Sequence, residues 1–178
     1  MKNSSAYKIA YVGLKQGAHK FCYFIEDKFF DNFSTPDFNN SAIEVEVNLE
    51  KQNNLFLMNF VINGFIETSC DRCGEPFKLR LWEEFKFVVK VVDDENIEMK
   101  NNEDPDIAYI SKTSSMMDLS LWIYEFILLS IPYQRLHPND ENDNSTCNPE
   151  ILKLLNQNIE TPNTALWDAL NIKKENKN

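Results

Sequence analysis

Cys70 and Cys73 stand as a Cys-x-x-Cys pair followed directly by Gly74. Two thiolates three positions apart can grip one tetrahedral zinc ion, and the glycine lets the backbone adopt the conformation such a turn requires. The pair alone supplies half a site. His137 and Cys147, with nine residues between them, are the candidates for the other half, and they complete a Cys₃His set if their loop folds over the pair. The competing reading is a reduced structural turn that holds no metal. A thioredoxin-like redox pair is a weaker fit, because it would open a helix in a βαβ context that the surrounding pattern lacks.

A second constellation follows the pair. Lys78, Arg80, Trp82, Lys86 and Lys90 all fall on even positions, so a continuous strand presents them on one face, and Arg72 lies just upstream. At about 3.3 Å per residue, Lys78 to Lys90 spans ~40 Å. The cations can contact phosphates while Trp82 stacks on an unpaired base, making these six residues candidates for RNA or partner binding. Two alternatives stay open: Glu44 and Glu46 on another strand can pair with the cations across the sheet, and Glu83-Glu84 can form a bulge that breaks the row.

No catalytic residue is expected. Glu125 sits inside an apolar stretch, where burial would raise its pKa. Pairing with a buried Arg such as Arg80 or Arg135, or a place on the helix's one wet edge, explains it better. His19 and His137 are the two histidines, and neither stands near a nucleophile motif or a phosphate-cradling glycine loop.

The elements that position these groups are legible in the hydrophobic periodicity. Residues 7–24 read as irregular strand with a bend at Gly13 and Gly17, and residues 27–33 as a short helical turn whose aromatics close one end of the core. Ile43, Val45, Val47 and Leu49 alternate with Glu44, Glu46, Asn48 and Glu50, the pattern of a half-buried strand. Residues 55–68 read as a central strand apolar on both faces. Phe77, Leu79, Leu81, Phe85, Phe87, Val89 and Val91 then recur at odd positions, which puts the Cys pair at the tip of a long antiparallel hairpin. Residues 93–106 form an acidic solvated loop, and residues 107–110 a short strand. Asp118 caps an apolar helix ended by Pro132, while Asn148-Pro149 opens another through about Gln157. Residues 166–172 form a last short segment.

Composition narrows the class. The chain has 178 residues, is 43% apolar and includes 13 Phe, enough for one core with a small appendage. The expected division is a core domain over 1–135 and an appendage of polar loop, short helices and tail over 136–178. The first residues lack the apolar run of a secretory signal, and the interrupted apolar stretch 119–131 is too short to span a bilayer. A cytoplasmic chain without membrane contact is expected. The net charge of −10 argues against a general polyanion binder. Yet residues 1–92 hold 11 Lys/Arg against 12 Asp/Glu, and residues 93–178 hold 7 against 16. The first half can face RNA; the acidic second half would repel it.

Three stretches together resemble the YceD-like family of large ribosomal RNA subunit accumulation proteins. Cys70-Asp71-Arg72-Cys73-Gly74-Glu75-Pro76-Phe77 is similar to its C-x-R-C-x-x-P-[FL] motif. Asp118-Leu119-Ser120 followed by Glu125, Leu128, Leu129 and Pro132 resembles its central helix, and Leu166-Trp167-Asp168-Ala169-Leu170 its ending. Many relatives carry a second cysteine cluster where this chain has His137 and Cys147, and the usual Asp-Pro-Arg before Trp167 is missing. The resemblance implies a role in large-subunit ribosomal RNA accumulation or maturation, acting on that RNA or a precursor particle, with no established catalysis. The expected fold is α+β: a twisted antiparallel sheet able to curl into a barrel-like form, with one packed apolar helix and a small C-terminal helical appendage. The competing classes are a protein-only adaptor and a zinc-dependent RNA-processing enzyme.

Overall fold

The computed structural model describes residues 6–34, 36–93, 97 and 106–159, with the backbone alone at 158 and 159. These residues divide into two compact units. One runs to Ser69 and resumes over Pro76–Arg135; the other joins Cys70–Glu75 to the chain from Leu136 onward. Most of the acidic loop and the segment 166–172 lie outside the described residues.

The larger unit is built on a five-stranded sheet in the order β2-β3-β4-β5-β6. Its strands are β2 Gly17–Ile25, β3 Asn39–Gln52, β4 Leu55–Ser69, β5 Pro76–Val92 and β6 Ile107–Ser111. A second, two-stranded antiparallel sheet pairs β1 Lys8–Ile9 with β7 Met117–Asp118. The long hairpin forms as the periodicity requires, with β4 and β5 in unbroken register from Leu55↔Lys90 to Ser69↔Pro76.

Three sequence expectations are corrected. The sheet is mixed, because β6 pairs parallel to β5; residues 93–106 supply the dozen or more positions that a parallel crossover needs. It is no closed barrel, since β2 and β6 remain its two edges and closure would require them to pair. And β4 is not buried on both faces. Its even positions Phe56, Met58, Phe60, Ile62 and Ile66 are buried, while Leu57 and Phe65 on the opposite face are 38% and 47% exposed.

The reason lies in where the helices pack. α1 (Asp27–Phe30) and α2 (Ser120–Leu129) both cover the face to which the even positions of β4 point. Phe126 of α2 stacks on Phe85 at 4.7 Å between ring centroids and meets Phe60 at 4.9 Å, and Trp122 meets Phe87 at 4.8 Å. Phe30 of α1 meets Phe38 edge-on at 5.1 Å, and Phe33 stacks on Tyr124 at 4.2 Å. Such pairs contribute beyond their burial by about 0.5–1.5 kcal/mol each. Asp118 is expected to cap α2, but the N-cap is Leu119; Asp118 stands one residue earlier, accepting the Ser120 backbone N–H at 3.0 Å and its hydroxyl at 2.6 Å. Glu125 is exposed on the helix's wet edge. Arg135 instead pairs with Asp37 at 2.6 Å. No helix among the described residues is long and apolar enough to cross a membrane.

Candidate metal centre and sheet surface

The smaller unit is organised by the hairpin tip and the loop that follows residue 135. Gly74 takes a φ of 75°, the left-handed region that glycine enters without steric penalty. That turn lets the Gly74 N–H donate to the Cys70 carbonyl at 2.8 Å and the Cys70 N–H to the Glu75 carbonyl at 2.9 Å. Opposite it, Arg72 Nη1 donates to Ser145 Oγ at 2.9 Å and Asn148 Nδ2 to Glu75 at 2.6 Å. Asn148 Oδ1 also accepts the Glu150 N–H at 2.9 Å, capping α3 (Pro149–Ile159) as Asn-Pro spacing predicts.

The result brings together all four residues that the spacing nominated. The ligand atoms of Cys70, Cys73, His137 and Cys147 lie within 4.8 Å of one another. Cys70 Sγ is 3.7 Å from Cys147 Sγ, and His137 Nδ1 is 3.5 Å from Cys73 Sγ and 3.7 Å from Cys147 Sγ. A tetrahedron with Zn–S of about 2.3 Å and Zn–N of about 2.0–2.1 Å has S···S edges near ~3.8 Å and S···N edges near ~3.6 Å. Those three separations, 3.5–3.7 Å, lie close to these edges.

The electrostatics point the same way. Burial of the Cys70 thiol opposes its ionisation, but the backbone N–H groups of Cys73, His137 and Arg72 and the His137 ring outweigh it and lower its pKa to about 6. For Cys147 the Ser145 hydroxyl favours the thiolate, yet burial and the neighbouring Cys70 and Cys73 sulfurs raise its pKa overall. Crowded thiolates repel one another, and a divalent cation among them removes that penalty. Four protein donors also fill a tetrahedron, the closed arrangement of structural sites; a catalytic zinc keeps a position open.

The basic row lies on the other unit. The β4–β5 register passes through Ile62↔Glu83 and Val61↔Glu84 without a shift, so no bulge breaks it. Lys78, Arg80, Trp82 and Lys86 are exposed on one face, and Trp82 is 65% exposed. Lys90 is half-buried with its Nζ 5.9 Å from the centre of the Tyr109 ring. Arg72 belongs to the smaller unit, committed to Ser145. Glu44 and Glu46 do not neutralise the row. They are on β3, separated from β5 by β4, and Glu46 pairs with Lys20 at 2.7 Å. Among the described residues, Lys78, Arg80 and Lys86 form no ion pair. Glu84 does share their face, where it accepts a hydrogen bond from Asn59 Nδ2 at 2.8 Å.

Sequence reasoning overlooked Ser145 and Glu75 as the groups that tie the metal loop together, since single polar residues in a polar loop carry no periodic signal. It also missed the exposed aromatics Phe24 and Phe65, because a ring in a strand reads as core until the covering layers are known.

The family described as "Large ribosomal RNA subunit accumulation protein YceD" matches the chain over residues 58–171, a span that takes in the hairpin tip, the basic row, α2 and the loop from His137 to Cys147. No curated protein and no solved structure matches the chain.

Proposed function

The chain belongs to the YceD family of large ribosomal RNA subunit accumulation proteins, and from that premise we propose that it is a non-enzymatic, cytoplasmic assembly factor that binds large-subunit ribosomal RNA in a precursor particle. The observation that carries the reading is the row of Lys78, Arg80, Trp82 and Lys86, which an unbroken register exposes on one sheet face with Glu84 as its one interruption, and which is free of cross-sheet ion pairs among the described residues. Lysines and arginines spaced along a strand suit phosphates, and the aromatic in their midst suits a base. The Cys70, Cys73, His137 and Cys147 group holds zinc as a structural clamp of the smaller unit, and its donor set supports that reading. The acidic second half of the sequence is available to basic ribosomal proteins.

An assembly factor leaves once its contacts are buried or displaced. Sedimentation of tagged protein from cell extracts tests this. The protein should travel with immature large subunits and be scarce on translating ribosomes. Even distribution across free protein and all particles would overturn the proposal, and particle association that survives complete nuclease digestion would favour a protein-only adaptor.

A further inference from the structure

Phe24, Phe65 and Trp82 are 64%, 47% and 65% exposed, and all three belong to the sheet face opposite the helices. Register fixes their arrangement. Trp82 pairs with Asn63, Asn63 with Glu44, and Glu44 with Phe24, so one row crosses four strands from one aromatic to the other. Phe65 lies two residues along β4 from Asn63 and directly opposite Arg80. With strands about 4.8 Å apart, Trp82 and Phe24 are separated by ~14 Å at the backbone, and Phe65 sits diagonally from Trp82 at ~7–8 Å. Solvent-facing rings grouped on a sheet in this way lack the burial that normally accounts for them.

We propose that this face is a platform for unpaired nucleotides, with bases stacking on Trp82, Phe65 and Phe24 while the phosphates follow Lys78, Arg80 and Lys86 along β5; this rests on the RNA-binding role proposed above. Charge fixes the polarity of the path. On β5 the three cations Lys78, Arg80 and Lys86, which form no ion pair among the described residues, outnumber Glu84, and Glu67 of β4 lies opposite Lys78, whereas β3, two strands away, exposes Glu44 and Glu50. Carboxylates repel phosphates but accept hydrogen bonds from base amino groups, so the backbone runs over β5 and the bases reach inward toward β4 and β2. Asn63, exposed between Trp82 and Glu44, offers an amide to a base edge. Past Glu84 the same face sinks into a concave trough of about 580 Å³, lined in part by Lys20, Asn48, Leu57, Lys86 and Val88. Lys86 lies four residues from Trp82, ~13 Å along the strand, so an extended single strand leaving the platform meets a second cation at the trough. A duplex keeps its bases stacked internally and gains nothing from exposed rings.

The test compares three RNA probes of equal phosphate count by fluorescence anisotropy: an unpaired adenine-rich strand, the same strand without bases, and a duplex. The parent should prefer the unpaired strand. Trp82→Ala, Phe65→Ala and Phe24→Ala should each weaken that binding by about 5- to 100-fold, leave the abasic strand unaffected and keep the parent's thermal midpoint. Folded variants that bind the unpaired strand as the parent does would overturn the platform, as would a parent that prefers duplex. If Lys78→Glu with Lys86→Glu still abolishes binding in that case, the broader RNA reading stands while the platform falls. A parent that binds none of the probes overturns both.

Discussion

Gly64 of β4 faces Ala42 of β3 so closely that a Cβ on Gly64 would lie 2.3 Å from the Ala42 carbonyl oxygen and 2.6 Å from the Ile43 Cα. The contact adjoins the irregularity where the β3–β4 register shifts between Asn39 and Ala42. Both opposing atoms are backbone, so neither can rotate away.

Gly64→Ala should therefore destabilise the larger unit by about 1–3 kcal/mol, the usual range for overpacking a tight contact. Urea unfolding measures this. A variant with the parent's midpoint would show that β3 has room to retreat.

The same end of β3 is held by Asp27, which accepts hydrogen bonds from the Ser41 hydroxyl at 2.5 Å and from the backbone N–H groups of Ser41 and Asn40 at 2.7 and 3.0 Å. The Ser41 hydroxyl is the largest influence, and with the two N–H groups it outweighs desolvation and lowers the Asp27 pKa below its ordinary value. Because the folded pKa is depressed, this stabilisation is fully present above the unfolded carboxylate pKa of about 3.9 and is lost as pH falls through the folded value. Asp27→Asn should cost on the order of 0.5–1 kcal/mol at neutral pH, a figure reduced for the group's exposure, and the gap from the parent should close below about pH 4. Unfolding curves across that pH range provide the check.

Purified protein should contain one zinc per chain. Cys70→Ser with Cys73→Ser should abolish the metal, and chelation should lower the thermal midpoint of the parent but not of the double variant, because binding energy at a structural site is folding energy. Metal analysis and calorimetry read both effects. Full stability and complementation by the double variant would rule out a structural role for the pair.

Lys78→Glu with Lys86→Glu should weaken RNA binding broadly and flatten its salt dependence, since each lost phosphate contact removes about one from the slope of affinity against salt. Glu44→Lys should leave stability within about 0.5 kcal/mol of the parent and strengthen binding. Glu46→Lys, which breaks the pair with Lys20, should cost no more than about 1 kcal/mol. Affinities measured over a salt series, with matched unfolding curves, separate these effects.

Local chemistry was enough to determine the long hairpin, the alternation of β3, the two helices with the Asn148 cap of the second, and the placement of Cys70 and Cys73 at a turn. Each depends on periodicity or on a residue's own backbone preference, which neighbours in sequence decide. The spacing also nominated His137 and Cys147 as partners for the pair, but spacing alone left a metal-free turn open. Tertiary structure brought the four donors within 4.8 Å, through contacts such as Arg72 to Ser145 that span more than seventy residues. It also decided the parallel pairing of β6 and which face of β4 the helices cover. Phe60 and Phe65 are the same residue type five positions apart on one strand, and only the packing of Phe126 onto one face makes the first core and leaves the second exposed.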